Sequence, residues 1–424
     1  MDILKSLEER ISKSLEKVSF FTTRVRTLSL LRVITFLLLI TDLVILYNTG
    51  FQTIYLLAFT VNLIAFIVLI MLHKKNDYQL QINKQLVAIN QEEINRLNLN
   101  LDGLYAGKEF ENDDHPYSQD LDIFGDHSLF QLINRSPMKA ARSLLASWMQ
   151  SKSDAKEIVD RQNAVKELQQ KQDWAQNLIA VARVIVNKKK SKKENEELET
   201  LFEWAKQPEK SGNIFALRIF GILLSLINLT LLGLMMFNDM PYQFFVLSFL
   251  VNTLFLGVTF KRCKELGEQL NQSHLIIRTY LKLIESIEAE TFSSSQLVKL
   301  KGDLNDGQAS AAISLLDKLA FRFSSRASMF YGLMAPIFMF DYHLLAQAVK
   351  WKNTERSNIR KWFEAVDEMN ALISISGYSY LLPDDVFATF SEEEFKLKGT
   401  SIGHPLIDAK KRVTNDFDSS RKGE

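Results

Sequence analysis

Four stretches of the chain are apolar around the whole helical circumference rather than along one face: Leu28–Tyr47, Phe51–Leu72, Ile214–Phe237 and Tyr242–Phe260. A helix rises about 1.5 Å per residue, so some 20 residues cover a hydrocarbon core of about 30 Å. Buried helices of a soluble protein carry shorter uniform runs, about 10–14 residues. The stretches come in pairs, joined by Asn48-Thr49-Gly50 and Asn238-Asp239-Met240-Pro241, connections too short for anything but a hairpin. The pattern predicts four membrane-spanning helices in two hairpins. The first is not a removable signal peptide, because a second span follows at once.

Elsewhere the period is that of one-sided helices. Leu4, Leu7, Ile11, Leu15 and Val18 recur at three and four, which predicts an amphipathic helix over 1–27, lying on the membrane or against a partner helix. Ile82, Leu86, Ile89, Ile94 and Leu97 mark another over Asp77–Leu101. Residues 106–120 are acidic, contain Pro116 and read as a linker. Helical spacing returns over 128–186, broken at Ser136-Pro137, with helices at Ala140–Met149 and Ala155–Gln170. After the second hairpin, helices are expected at Lys261–Ile287, Ser294–Leu300, Ala309–Leu319, Asp341–Lys350 and Asn358–Ile375. Pro336 interrupts the apolar run Ala327–Phe340, which at about 14 residues is too short to span. Beyond the breaker Leu382-Pro383-Asp384, Val386–Phe390 and Phe395–Lys398 read as short strands.

Basic residues give the hairpins a direction. Neither connection carries Lys or Arg, whereas the opposite ends hold Arg24, Arg26 and Arg32, His73, Lys74 and Lys75, Lys206, Lys210 and Arg218, and Lys261, Arg262 and Lys264. Positive charge stays in the cytoplasm, so both connections are expected outside, and all larger segments inside, a bacterial inner membrane. Cys263 is the only cysteine in the sequence. That excludes an internal disulfide and a cysteine-based zinc site, and agrees with a reducing compartment. Next to Lys261-Arg262 it is also a candidate for reversible acylation.

Three spans carry one asparagine each, Asn62, Asn228 and Asn252, roughly 9–11 residues from the outer end, or about 15 Å deep. Amides at one depth are suited to hydrogen bonding between helices, and Asp42, shallower, to reaching the outer surface. A transport pathway is the sharper reading of such groups, but one shallow carboxylate is a poor basis for it.

With Lys+Arg 51 against Asp+Glu 50, the net charge of +1 creates no field that recruits nucleic acid. The local exception is Lys188, Lys189, Lys190, Lys192 and Lys193, a candidate contact for DNA or anionic lipid. Glu194, Glu196, Glu197 and Glu199 follow directly, so a solvated turn between helices explains the run equally. The six His are scattered, and nucleophile-elbow and dinucleotide-binding glycine patterns are missing.

Two places carry a family resemblance. One is Asp122-Ile-Phe-Gly125-Asp-His-Ser128-Leu129, continued by Leu144-Leu145-Ala-Ser-Trp148 and by Ile158-Val-Asp-Arg161-Gln-Asn-Ala164-Val165-Lys-Glu-Leu168. The other is Gly403-His404-Pro405-Leu406-Ile407 with Val413-Thr414-Asn415-Asp416. In this order, with Trp362–Leu372 between them as a returning helix, they resemble the helical core of the MutS mismatch-repair family and the segment that precedes its P-loop. The resemblance is closest to membrane-anchored bacterial MutS-like proteins. It implies a mainly α fold, a MutS-like helical core and lever with two transmembrane hairpins and a short β-prone start of an ABC-type ATPase domain. The implied division is 1–27, 28–72 (first hairpin), 73–119, 120–212 (core), 213–260 (second hairpin), 261–385 (core) and 386–424 (start of the ATPase domain). Val413, Asn415 and Asp416 would then lie near a nucleotide, with ATP and Mg as cofactors of the full-length family.

The chain departs from that pattern twice. No Gly-Lys-Ser/Thr loop follows the tail, and Gly107-Lys108 is followed by Glu109. Without such a loop nothing cradles phosphates, so this chain, read as truncated before the loop, is expected to use no cofactor and hydrolyse no ATP alone. The family's Phe-x-Glu mismatch reader is also missing from the first 118 residues, where spans stand instead; Phe390-Ser391-Glu392 lies at the wrong end. Expected partners are membrane lipid, a second copy of the chain, nucleic acid held weakly and without sequence preference, and a cytoplasmic protein. The alternative function is a membrane scaffold or tether that docks such a protein without nucleotide chemistry.

Overall fold

The computed structural model describes residues 3–50, 52–186, 194–207, 214–237, 240–304, 307–391, 397–408 and 410–419. Among these, fourteen α-helices, one 3-10 turn and two strands alternate with short connections, so the chain is mainly helical. It divides into two compact units, one of residues 1–134, 171–184 and 377–424, the other of 135–170 and 185–376.

The first unit is built on a long helical hairpin, α1 (Ile3–Thr49) and α2 (Thr53–Leu97). Neither contains Gly or Pro, so nothing interrupts the helix where each amphipathic stretch meets its apolar span. The amphipathic start and the first span are therefore one helix. Leu7 on α1 is fully buried, Ser6 and Tyr380 share a hydrogen bond of 3.1 Å, and Arg10 pairs with Asp173 at 3.2 Å. On α2, Glu92 takes both guanidinium nitrogens of Arg183, at 2.6 and 2.7 Å.

The acidic stretch 106–120, read as a linker, is folded. A 3-10 turn at Lys108–Phe110 sets Phe110 against Phe124 and Phe130, with ring centroids 5.9 and 5.5 Å apart. Gly107 precedes it with φ 68, and a Cβ there would meet the Phe130 ring at 2.6 Å, so only glycine fits this turn. Ser128 then caps α3 (Leu129–Ile133) by accepting from the Gln131 amide.

The second unit comprises α4 (Lys139–Gln150), α5 (Ala155–Gln170), α7 (Glu194–Lys206), α8 (Ile214–Phe237), α9 (Tyr242–Ala289), α10 (Ser295–Asp303), α11 (Gln308–Ser325), α12 (Met329–Phe338), α13 (Phe340–Glu355) and most of α14 (Ile359–Leu381). The remaining helix, α6 (Gln172–Val186), belongs mostly to the first unit. α9 is a single helix of 48 residues, running from an apolar span into the buried residues Leu270, Ile277, Leu283 and Ile284. It packs closely on α11, where a Cβ at Gly267 would stand 3.2 Å from the Phe323 ring. Trp204 and Trp351 stack at 5.9 Å, and the Trp351 indole N–H donates to the Ala312 carbonyl at 2.7 Å. At the start of α10, the Glu167 carboxylate accepts from the amides of Ser293 and Ser294, donors that a helix N-terminus leaves unpaired. Burial alone would raise the Glu167 pKa, but these hydrogen bonds outweigh it and hold the group below its ordinary value.

Four helices, α1, α2, α8 and α9, are long and apolar enough to cross a membrane. Within their most apolar windows only 6, 0, 17 and 11 % of residues are buried by protein. The uncovered surface is what a span presents to lipid.

The tail departs from expectation. Val386–Phe390 forms no strand: Val386 is 92 % exposed, and β-branched residues favour strands only where a pleated, half-buried surface awaits them. The strands are β1 (Leu397–Ile402), which overlaps the expected Phe395–Lys398 at Leu397 and Lys398 (Phe395 and Lys396 lie outside the described residues), and β2 (Asn415–Ser419), an antiparallel pair with Leu397 opposite Ser419 and an irregularity between Gly399 and Ile402.

Candidate functional site

The second unit concentrates its polar chemistry where α8 and α9 meet α12. Asn228 of α8 and Asn252 of α9 both donate their side-chain amides to the carbonyl oxygen of Pro336, each at 2.9 Å. All three residues are buried. The carbonyl is available because α12 ends two residues later, where Met339 adopts the left-handed conformation (φ 49). The last four carbonyls of a helix have no N–H of their own. The two amides thus do not bond to each other across the hairpin but converge on a third helix. In the first unit Asn62 follows the simpler pattern and donates to Asp42 at 2.7 Å, so Asp42 serves as its acceptor between α1 and α2.

Below the Met339 turn lies an ion-pair knot. Asp341, in the first turn of α13, accepts from Arg326 Nε at 3.0 Å, Arg326 Nη2 at 2.8 Å and the Tyr331 hydroxyl at 2.5 Å. A carboxylate there is favoured by the helix dipole, and the two-pronged guanidinium contact is the strongest form of such a pair. Cys263 of α9 donates its thiol to the Asp341 carbonyl at 3.7 Å, and the Tyr342 hydroxyl donates to the Phe255 carbonyl at 2.8 Å. A cleft of about 660 Å³ adjoins the knot, lined by Leu256, Gly257, Phe260, Lys264 and Phe323 among others. Through these bonds Asp341 ties the start of α13 to Arg326 at the end of α11 and to Tyr331 of α12.

Further along α9, away from the span, Tyr280 is fixed twice. Its ring stacks on Phe363 of α14 at 3.8 Å, and its hydroxyl reaches both Asp367 oxygens at 2.9 and 3.0 Å. α9 is therefore held both within its apolar half, where Asn252 bonds Pro336, and within the helical core, where Tyr280 is fixed.

The residues expected near a nucleotide lie in the tail of the first unit. Val413 is exposed, Asn415 stands opposite Ile402, and Asp416 accepts from the Ser401 amide at 2.8 Å. Ser401 has a positive φ of 55, so Asp416 braces the irregular turn of its own hairpin. The cleft beside this tail, lined by Arg96, Pro405, Ile407, Lys410 and Arg412, measures about 260 Å³, below the roughly 300–1,000 Å³ of small-molecule sites. His404 accepts from the Leu406 amide within its turn. Lys188, Lys189, Lys190, Lys192 and Lys193 lie outside the described residues. Cys263 is buried, which removes it from acylation chemistry as it stands. Among the described residues, no group of three or more His, Cys, Asp or Glu could hold a metal ion.

Sequence reasoning missed Arg326, Tyr331 and Asp341. The signal was present: the apolar run Ala327–Phe340 is bracketed by one arginine and one aspartate. Comparison with protein-family models, with curated proteins and with solved structures returns no match for the chain.

Proposed function

We propose that the chain is a membrane-anchored helical lever, in which α9 transmits position between a membrane-spanning hairpin and a helical core. The observation that carries this reading is the unbroken 48-residue length of α9, pinned by Asn252 in its apolar half and by Tyr280 in the core. At the helical rise it is about 72 Å long. A rigid rod held at both ends transfers rotation or tilt; a jointed one dissipates it. Pulsed electron paramagnetic resonance between labels at Leu247 and Arg278 tests this in the full chain. One narrow distance, about 46 Å for 31 residues of helix, is expected, and a broad distribution would remove the basis of the lever.

Two versions differ in what the lever serves. In the MutS-like version, residues 386–424 lead into an ATPase domain, ATP and Mg supply the drive, and DNA is a ligand. It is favoured by the order of the motif segments and by their helical form: Leu144–Trp148 lies in α4, Ile158–Leu168 in α5 and Trp362–Leu372 in α14. In the tether version, the core docks a cytoplasmic protein without nucleotide chemistry, and a second copy of the chain is a natural partner. Both versions place the chain in a bacterial inner membrane with its soluble parts in the cytoplasm. The purified chain is expected to show no nucleotide turnover in either; magnesium-dependent hydrolysis by protein free of contaminating ATPase would argue against both.

A further inference from the structure

The apolar run Ala327–Phe340 is too short to span a bilayer, yet it is attached at the depth of the spans. Two contacts along α9 set the scale. The Cys263 thiol reaches the carbonyl of Asp341, and the Asn252 amide reaches the carbonyl of Pro336. Cys263 and Asn252 are 11 residues apart, about 16 Å of helix, or half of a core about 30 Å thick. On α8 the same descent is visible: Gly221 lies against Tyr342 and Met339, and Asn228 bonds Pro336.

The chain then comes back. α12 and α13 meet at 86°, and α13 runs into protein, with Leu345, Ala348, Val349, Trp351 and Lys352 buried. The outer side of α12 is the opposite case: Met329, Phe330 and Leu333 are 85, 71 and 53 % exposed. A free apolar face of this kind in water is costly, whereas at the depth of a hydrocarbon core it needs no other cover. Irregular backbone is tolerated at that depth only where protein satisfies it, and the amides of Asn228 and Asn252 do this for the broken end of α12.

We propose that α12 is a re-entrant helix: it enters the membrane beside the second hairpin, reaches about half depth at Pro336 and returns on the same side, with Met329, Phe330 and Leu333 covered by lipid acyl chains. The Arg326–Asp341 pair closes the base of this excursion. The inference rests on the reading that α8 and α9 cross the membrane, and the test separates the two.

In vesicles of phosphatidylcholine and phosphatidylglycerol, nitroxide labels at Phe330 and Leu333, in a Cys263→Ala background, should be relaxed by oxygen and shielded from a water-soluble nickel chelate. A label at Val258, on the exposed face of α9, reports on the span itself. Cysteines placed singly at Ser325 and Lys350 in the same background should both react with an impermeant thiol reagent from one side only. With the unaltered chain, a phospholipid carrying a diazirine on its acyl chain should cross-link to the peptide containing Met329–Leu333. If Val258 is shielded and cross-linked while α12 is neither, the re-entrant helix is wrong and the span stands. If Val258 too is open to the chelate, the membrane reading fails first. Reaction of Ser325 and Lys350 from opposite sides would make α12–α13 a fifth crossing and overturn the proposal.

Discussion

Arg326 and Asp341 flank the apolar run in sequence and meet in space, the guanidinium gripping the carboxylate through two hydrogen bonds of 3.0 and 2.8 Å. Both side chains are largely withdrawn from water. Removing one partner of such a pair leaves a buried charge uncompensated, which costs about 3–5 kcal/mol. Arg326→Ala should therefore destabilise the chain by that order, while the double variant Arg326→Ala with Asp341→Asn should recover a substantial part of the loss. Thermal unfolding in detergent, followed through the near-ultraviolet signal, reads both. Equal losses in the single and double variants would mean that the two groups do not act as a pair.

The acid limb of stability should carry the signature of Glu167. Its pKa lies below the ordinary 4.5 because hydrogen bonds from Ser293 and Ser294 outweigh burial. A depressed carboxylate contributes stability that is complete above its unfolded value and is lost as pH falls through the folded one. Glu167→Gln should thus be less stable than the parent at neutral pH, with the difference vanishing at strongly acidic pH. Glu368 works in the opposite sense, since burial raises its pKa and the bond from Gln296 offsets this only in part. It must stay in place during the comparison. Denaturant titrations of both proteins across this range decide, and a gap independent of pH would exclude the hydrogen-bonded carboxylate as its cause.

The four long apolar helices were legible because uniform apolarity over some 20 residues is a property of composition alone. Asn62, Asn228 and Asn252 were legible as polar groups in apolar helices, and joining helices is what they do. Their acceptors were not legible, because Pro336 lies 108 residues beyond Asn228 and offers a backbone oxygen that every residue shares. Length also hid α12: a rule that asks whether a run can cross the membrane has no answer for one that goes half way. In the tail, Val386–Phe390 has the residue types of a strand without a surface to pack on, whereas Asn415–Ser419 pairs with Leu397–Ile402 despite polar residues of low strand propensity. There pairing, not local preference, decided.

The direction proposed for the hairpins rests on the charge of their flanks and can be read in intact cells. Cysteines placed at Thr49 and Asp239, in a Cys263→Ala background, should react with an impermeant thiol reagent added outside. Cysteines at Ser153 and Ser357 should react only after lysis. Translocating the basic flanks would oppose the membrane potential and the anionic inner leaflet. Labelling of Ser357 in intact cells would reverse the assignment.

Nucleic acid separates the family resemblance from the bare physics of the residues. The resemblance implies a clamp around a duplex, whereas the sequence offers a net charge of +1 and one basic run, Lys188–Lys193. Binding to phosphates releases counterions, so each neutralised phosphate lowers the logarithm of affinity by about 0.9 per tenfold rise in salt. DNA binding by this chain should accordingly be weak, indifferent to mismatches and steeply reduced by salt. Replacing Lys188, Lys189, Lys190, Lys192 and Lys193 with Gln should flatten the salt slope if the run touches phosphate, and leave it unchanged if the run is a solvated turn. Fluorescence anisotropy with matched and mismatched duplexes at two salt concentrations supplies both comparisons. A mismatch preference that persists at physiological salt would require a base reader within this chain and would favour the MutS-like version over the tether.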